Sequence, residues 1–147
     1  MITIPKKIYD VMIEHAKNGY PNEACGILAG SSRAARPPQG AANTDDNVVS
    51  DFFPMKNVDE SSISYFMDPR EQLLIFKKMR QTGIDMKGIF HSHVASEAYP
   101  SQKDVRLAFY PGVSYLIVSL SNMKKPRLRS FRIEEEKVTE EEIKLGG

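Results

Sequence analysis

Two histidines stand one residue apart at the end of an apolar run, in the stretch "GIFHSHVASEAYPSQKD" (residues 88–104). Side chains alternate between the two faces of a strand, so His91 and His93 would project together while Ser92 points to the opposite face. The loop that follows can bring the chain back at Asp104, whose carboxylate could supply a third ligand. Zinc takes imidazole and carboxylate ligands at about 2.0–2.2 Å, and three protein ligands leave a fourth position open. The pattern therefore indicates a catalytic rather than a structural metal site.

Both halves of this pattern also have a purely structural interpretation. A His-x-His pair on a strand can be the polar rim of a sheet. The sequence "SQKD" can be a helix start, with Ser101 as N-cap and Asp104 at the third helical position in a variant of the capping box, and Pro100 before it fits that start. The capping and metal interpretations are compatible, because a carboxylate in the first helical turn can both cap and coordinate.

The other reactive residue types point away from competing chemistries. The single cysteine, Cys25, excludes an intrachain disulfide and a multi-cysteine zinc site. Because Cys25 lies in an apolar run, we interpret it as a small core hydrophobe rather than the nucleophile of a cysteine hydrolase. The third histidine, His15, falls on a helix face, where it would be a surface or half-buried residue. The chain contains neither a His-Glu-x-x-His helix nor the Pro-Cys-x-x-Cys of zinc deaminases.

Strands and helices alternate around these residues, which predicts an α/β domain with a central mixed sheet and about three helices. Apolar periodicity and flanking Gly, Pro and Asp residues set the boundaries. The predicted strands are 24–30, 47–55 (at a sheet edge, because of Pro54), 86–93, 113–120 as the central strand, and the outer strands 127–133 and 137–145. The predicted helices are 5–18, a second from Asp68 and Pro69 to Gly83, and a short third within 101–112.

In the second helix one buried stripe is predicted from Leu73, Leu74, Phe76 and Met79. Residues 31–46 are predicted to form a loop.

Length and charge exclude several classes of protein. A chain of 147 residues fits one domain, residues 1–147. The net charge of +1 gives no reason to expect nucleic acid or an anionic membrane as a partner. No apolar run is long enough to span a bilayer, and the N-terminus lacks the apolar core of a secretory signal. We therefore expect a cytoplasmic, single-domain protein.

The full spacing of the motif resembles the signature of the JAMM/MPN metalloprotease family. His91-Ser92-His93 is followed after seven residues by Ser101 and after two more by Asp104. The upstream stretch "NEACGILAG" is similar to the one that carries the family's glutamate, which falls here on Glu23. "PGVSYLIVS" also looks like the small prokaryotic members.

The resemblance covers most of the chain, from the first helix to "YLIVS", and implies the MPN, cytidine-deaminase-like fold. One departure is visible: many members have proline directly after the second histidine, where this chain has Val94. This position belongs to the predicted loop 94–100 and not to the ligand set.

The resemblance also implies a role for each residue of the motif. One Zn²⁺ per chain would be held by His91, His93 and Asp104. Glu23 would act as general base on the zinc-activated water, and Ser101 would support the oxyanion. The reaction would be hydrolysis of a peptide or isopeptide bond without a covalent intermediate.

The substrate that the resemblance implies is the C-terminal diglycine end of a ubiquitin-like or sulfur-carrier protein. The loops 31–46 and 94–100 are the predicted elements for gripping such a tail, by addition of a strand at a sheet edge. The chain itself ends in "LGG", which we interpret as a frayed terminus. Two alternatives are open: a non-catalytic MPN scaffold, against which the five intact motif positions argue, and a zinc hydrolase of small amides.

Overall fold

The computed structural model describes residues 1–31 and 47–146. Most of the predicted loop 31–46 and the last glycine therefore lie outside the described residues. In chain order the elements are β1 (Ile2–Pro5), α1 (Lys6–Gly19), β2 (Cys25–Ser31), β3 (Asp51–Met55), α2 (Pro69–Thr82), β4 (Ile84–His93), α3 (Gln102–Arg106), β5 (Ser114–Ser119), β6 (Arg127–Glu134), β7 (Lys137–Glu141) and β8 (Ile143–Gly146).

The main sheet is mixed, in the order β3-β2-β4-β5-β6-β7. Only β4 and β5 pair in parallel; the other neighbours are antiparallel. The predicted central strand β5 is interior, and β3, which contains Pro54, lies at an edge where a missing backbone donor is tolerated. The α/β fold with a mixed sheet and three helices is thus confirmed.

Each face of the sheet is covered by a separate apolar cluster. On one face, Met12 and Ala16 of α1 pack with strand residues such as Phe90 and Leu116. On the other face, Met79 of α2 packs with Ile89 and other strand residues. Side chains alternate along β4, so Phe90 belongs to the α1 face while Ile89, His91 and His93 share the α2 face. The candidate ligands therefore lie between the sheet and the second and third helices.

The second helix begins and ends as predicted, but its buried stripe is different. The Asp68 carboxylate accepts from the Arg70 amide at the N-cap, and Gly83 ends the helix with φ +72°. Leu73 and Leu74 are about two-thirds exposed, so their predicted burial is wrong. At 100° per residue Leu74 lies on the side of the helix opposite the face that carries Phe76 and Met79, and Leu73 lies at the edge of that face, about 90° from its centre.

The end of the chain forms two strands rather than the single predicted strand 137–145. β7 pairs antiparallel with β6, whereas β8 leaves the main sheet and pairs in parallel with β1. The first and last strands of the described structure, β1 and β8, thus form a separate two-stranded sheet. In the part of the chain that the structure describes, no helix is long and apolar enough to cross a membrane.

Candidate metal centre

His91 and His93 lie at the carboxyl end of β4, which is an interior strand. They are 2% and 5% exposed, and their neighbours on both sides are strands β2 and β5. The strand sets the face on which the two side chains lie, and burial limits the rotation of both imidazole rings. The alternative interpretation, an exposed polar rim of a sheet, is wrong because both rings are buried.

The three predicted ligand atoms form a nearly equilateral triangle. The distance between the two Nε2 atoms is 3.1 Å, and Asp104 Oδ2 lies 3.2 Å from His91 Nε2 and 3.1 Å from His93 Nε2. Tetrahedral zinc with ligands at about 2.0–2.2 Å requires ligand separations of about 3.3–3.5 Å. The triangle is within a few tenths of an ångström of that requirement. Within the described residues, this is the group of side chains that could hold a metal ion.

Hydrogen bonding at His93 shows that a cation fits between these atoms. His93 Nδ1 lies 2.9 Å from the carbonyl oxygen of Glu97 and must donate to it. In the neutral ring Nε2 then carries a lone pair, which faces the lone pairs of Asp104 Oδ2. Either a proton or a metal ion must lie between the two atoms. Such a bond from the second ring nitrogen to a carbonyl is the usual way in which a metal-binding histidine is oriented.

Asp104 caps the third helix and also belongs to the triangle. The Ser101 hydroxyl accepts from the Asp104 amide (3.0 Å), and Asp104 Oδ2 accepts from the Ser101 amide (2.9 Å), so the predicted capping box is confirmed. The helix is shorter than predicted, because it ends at Arg106. Ser101 is exposed, and its hydroxyl proton is not used by the cap. The Asp104 carboxylate therefore both caps α3 and lies close to the two histidines.

The electrostatics favour the protonation states that a metal requires at Asp104 and His91, but not at His93. Burial alone would raise the pKa of Asp104, but hydrogen bonds from His91, His93 and the Ser101 amide hold that pKa well below its usual range. Burial lowers the pKa of His91, which keeps this ring neutral. Burial alone would also lower the pKa of His93. The hydrogen bonds of His93 to Asp104 and to the Glu97 carbonyl have the larger effect together, and the pKa of His93 is raised. A proton on His93 therefore competes with a metal ion, so binding should weaken as pH falls.

Glu23 lies beside the triangle but is not part of it. Glu23 is 6% exposed, and its carboxyl group interacts electrostatically with His93, Asp104 and Lys103. Burial, which is the largest cause, raises the pKa of Glu23 from 4.5 to about 7. A carboxyl group with such a pKa can exchange a proton with bound water at neutral pH.

Two residues that the sequence did not single out hold the segment around Glu23. The Ser92 hydroxyl accepts from the Ala24 amide (2.8 Å), and the Ser92 amide donates to the Ala24 carbonyl (3.0 Å). The side-chain amide of Asn57 donates to the Glu23 carbonyl (2.9 Å) and to the Ser64 carbonyl (3.0 Å). The sequence predicts only that Ser92 points to the face opposite the two histidines. Its position between them is the signal that could have indicated a role in holding the neighbouring strand.

An apolar cavity of about 270 Å³ adjoins the triangle at Asp104. Its floor includes Ile89, which lies on the same face of β4 as the two histidines. The walls come from the segment before α2 and from the segment after α3, and they include Tyr65, Phe66, Met67, Leu107, Phe109 and Tyr110. Such a cavity can take an apolar side chain of a bound peptide next to the metal centre.

Comparisons with known proteins agree with this fold. Residues 5–134 match the family described as prokaryotic homologs of the JAB domain. A CysO-cysteine peptidase of Mycobacterium tuberculosis is 35% identical over 145 residues, which cover 99% of this chain and 91% of that protein. A desampylase of Haloferax volcanii is 35% identical over 115 residues, 75% of this chain and 74% of that protein. The solution structure of protein DSY2949 from Desulfitobacterium hafniense has a TM-score of 0.82 at 45% identity and covers 99% of this chain and 92% of its own.

The fold and the site define an α/β protein of the JAB/MPN class. The chain belongs to the family of prokaryotic homologs of the JAB domain, as the motif predicted. Its relatives are named as peptidases and desampylases, and the chain is a hydrolase of this peptidase class. The scaffold alternative is therefore not favoured.

Proposed function

We propose that this chain is a zinc-dependent peptidase or isopeptidase that hydrolyses an amide bond at the C-terminal diglycine end of a ubiquitin-like or sulfur-carrier protein. The observation that carries the proposal is the triangle of His91 Nε2, His93 Nε2 and Asp104 Oδ2, with edges of 3.1–3.2 Å, beside a buried glutamate. These three residues would hold one zinc ion per chain. A bound zinc ion would supply Lewis acidity, which lowers the pKa of a coordinated water to about 7.

Glu23 is the proposed proton carrier. With a pKa of about 7 it can accept a proton from water and deliver it to the leaving amine, so one residue serves as base and then as acid. The hydrogen bonds of Asn57 to the Glu23 carbonyl and of Ser92 to the Ala24 amide hold the peptide group that follows Glu23. The Glu23 amide donates to the Ser61 carbonyl (2.8 Å), so the backbone that carries this side chain is fixed on both sides.

Ser101 is the proposed donor to the oxyanion. Its hydroxyl oxygen is already held by the Asp104 amide, so the direction of the O–H group is restricted while its proton stays available. A donor fixed before the reaction stabilises developing negative charge without reorganisation, which is what oxyanion-hole groups contribute.

The names of the relatives and the apolar cavity support the proposed substrate class. The mycobacterial relative is named for CysO-cysteine, and the haloarchaeal one is named a desampylase. A diglycine segment would fit the confined space at the buried triangle because glycine has no side chain. The cavity beside Asp104 could then accept an apolar side chain of the same tail. We propose that residues 1–147 act as one domain, since β8 pairs with β1, and that the reaction takes place in the cytoplasm.

The test uses a ubiquitin-like carrier protein whose C-terminal Gly-Gly is extended by a short peptide or a single cysteine. The zinc-loaded protein is incubated with this carrier, and the intact mass of the carrier is followed. We expect loss of the extension, inhibition by a chelator and recovery on addition of zinc. The matched enzyme control is Glu23→Gln, and the matched substrate control is the carrier with Ala-Ala in place of Gly-Gly.

An intact extension in the presence of a zinc-loaded site would refute the proposed substrate. Cleavage of small acyl amides under the same conditions would then favour the hydrolase of small amides instead. Unchanged turnover by the Glu23→Gln variant would remove Glu23 from the mechanism.

A further inference from the structure

We propose that Tyr65 is a positioning residue of the metal centre, whose ring holds the His91 imidazole in the orientation that directs Nε2 at the ion. The inference rests on the proposed metal centre. The two ring centroids are 4.5 Å apart with an interplanar angle of 23°, which is a stacked arrangement. Stacked aromatic pairs prefer a defined relative orientation beyond the burial of apolar area.

The two histidines are held in different ways. His93 has a hydrogen bond from Nδ1 to the Glu97 carbonyl (2.9 Å), which fixes its ring plane and its tautomer. His91 Nδ1 is buried and has no hydrogen-bond partner among the described residues. The neighbours of His91 on the two adjacent strands are Cys25 and Ile117, which are both core residues without a strong acceptor side chain. The other contacts of the His91 ring described above are with His93 and Asp104, which are themselves candidate ligands, so Tyr65 is the stacking partner outside the ligand set that restrains rotation of the ring.

The backbone on both sides of Tyr65 is fixed well enough for this role. Asn57 accepts from the Phe66 amide (3.0 Å) and donates to the Ser64 carbonyl (3.0 Å), so one side chain holds both neighbours of Tyr65. The Val58 amide also donates to the Phe66 carbonyl (2.9 Å). Asn57 further donates to the Glu23 carbonyl, so the segment that carries Tyr65 is tied to the segment that carries Glu23.

The experiment compares zinc affinity among single variants, measured by competition with a chelating dye. Tyr65→Leu and Tyr65→Met keep an apolar side chain but remove the planar ring, and we expect zinc to bind about tenfold more weakly or worse, the range found for partners of metal ligands. Tyr65→Phe keeps the ring and should restore affinity to within about twofold of the native protein. Phe66→Leu is the matched control, because Phe66 is the next residue along the chain, lines the same cavity and has no ring contact with a ligand. Its zinc affinity should not change.

Two further measurements separate a positioning role from a general loss of stability. The visible spectrum of the cobalt-substituted protein should change in Tyr65→Leu and remain native in Tyr65→Phe, because it reports ligand geometry. The thermal midpoint of each metal-free variant gives the stability change independently.

The possible results are distinguishable. If Tyr65→Leu and Tyr65→Met bind zinc like the native protein, or if Tyr65→Phe is as weak as Tyr65→Leu, the positioning role is refuted. An equal loss in Phe66→Leu would also refute it, because the effect would then be a disturbance of the whole segment. Failure of the native protein itself to bind zinc would instead refute the proposed function.

Discussion

Replacement of Glu23 by glutamine should abolish turnover and at the same time stabilise the metal-free protein at neutral and alkaline pH. Glu23 is 6% exposed, and the nearby charges of His93 and Lys103 lower its pKa by less than burial raises it. Its ionised form is therefore disfavoured by burial, which is why its pKa is raised. Glutamine has nearly the same shape as the protonated carboxyl group and carries no charge at any pH.

The size of this effect follows from the shift in pKa. A difference between 4.5 when unfolded and about 7 when folded corresponds to roughly 3 kcal/mol between the two protonation states. Below pH about 4.5 Glu23 is protonated in both states and contributes no difference. Between pH about 4.5 and 7 the folded state retains a proton that the unfolded state has lost, so native stability falls as pH rises. Above pH 7 the full penalty of about 3 kcal/mol is present, and Glu23→Gln removes it.

The assay is urea unfolding of the metal-free native protein and of the Glu23→Gln variant at pH 4.5 and pH 8. We expect nearly equal free energies of unfolding at pH 4.5 and a variant that is more stable by about 2–3 kcal/mol at pH 8. Glu14→Gln is the matched control, because Glu14 is an exposed residue of α1, and it should change stability by less than about 0.5 kcal/mol at both pH values. Equal stability of Glu23→Gln and the native protein at pH 8 would refute the argument that burial raises this pKa.

Four shorter predictions concern the same site. His93→Ala should lower the zinc content from one ion per chain to nearly none by metal analysis, with the circular dichroism unchanged; a native zinc content would remove His93 from the ligand set. Ser92→Ala leaves the buried Ala24 amide without its side-chain acceptor, so urea unfolding should show a loss of about 1–3 kcal/mol. Leu107→Asp places a charge in the wall of the apolar cavity and should raise KM for extended carriers without changing zinc affinity; an unchanged KM would exclude the cavity as a tail subsite. Cys25→Ala should remain active and sensitive to a chelator, because Cys25 is fully buried and burial raises the pKa of its thiol to about 12; loss of activity with zinc retained would revive the cysteine hydrolase hypothesis.

The sequence predicted the placement of the two histidines and of Asp104 within their own elements because each of these geometries is local. The two histidines are two residues apart on one strand, and the period of a strand alone places them on one face. The capping pattern fixed the start of α3, and with it the position of Asp104, since both partners of the capping box lie within one helical turn. Gly83 was likewise predictable as the end of α2, because φ +72° favours glycine.

The features that could not be predicted depend on contacts between segments distant in the chain. The stacking of Tyr65 on His91 and the bonds of Asn57 to Glu23 join residues more than twenty positions apart, and no local pattern encodes them. Leu73 and Leu74 are apolar and were therefore predicted to be buried, but their angular position on α2 leaves them exposed. The pairing of β8 with β1 was missed because the two strands come from opposite ends of the chain.

The loop between the second histidine and α3 is held by hydrogen bonds within the protein. The Glu97 carbonyl accepts from the His93 ring (2.9 Å), the Ser96 carbonyl accepts from the Ser119 hydroxyl (2.6 Å), and the His93 carbonyl accepts from the Leu120 amide (2.9 Å). The last two of these bonds tie the loop to β5 and to the residue after it. Small zinc-dependent domains fold only with their metal, because the ion supplies most of the folding free energy. Here two apolar clusters and this loop supply it instead, so removal of zinc should leave a folded protein in which the stability effect of Glu23 can be measured.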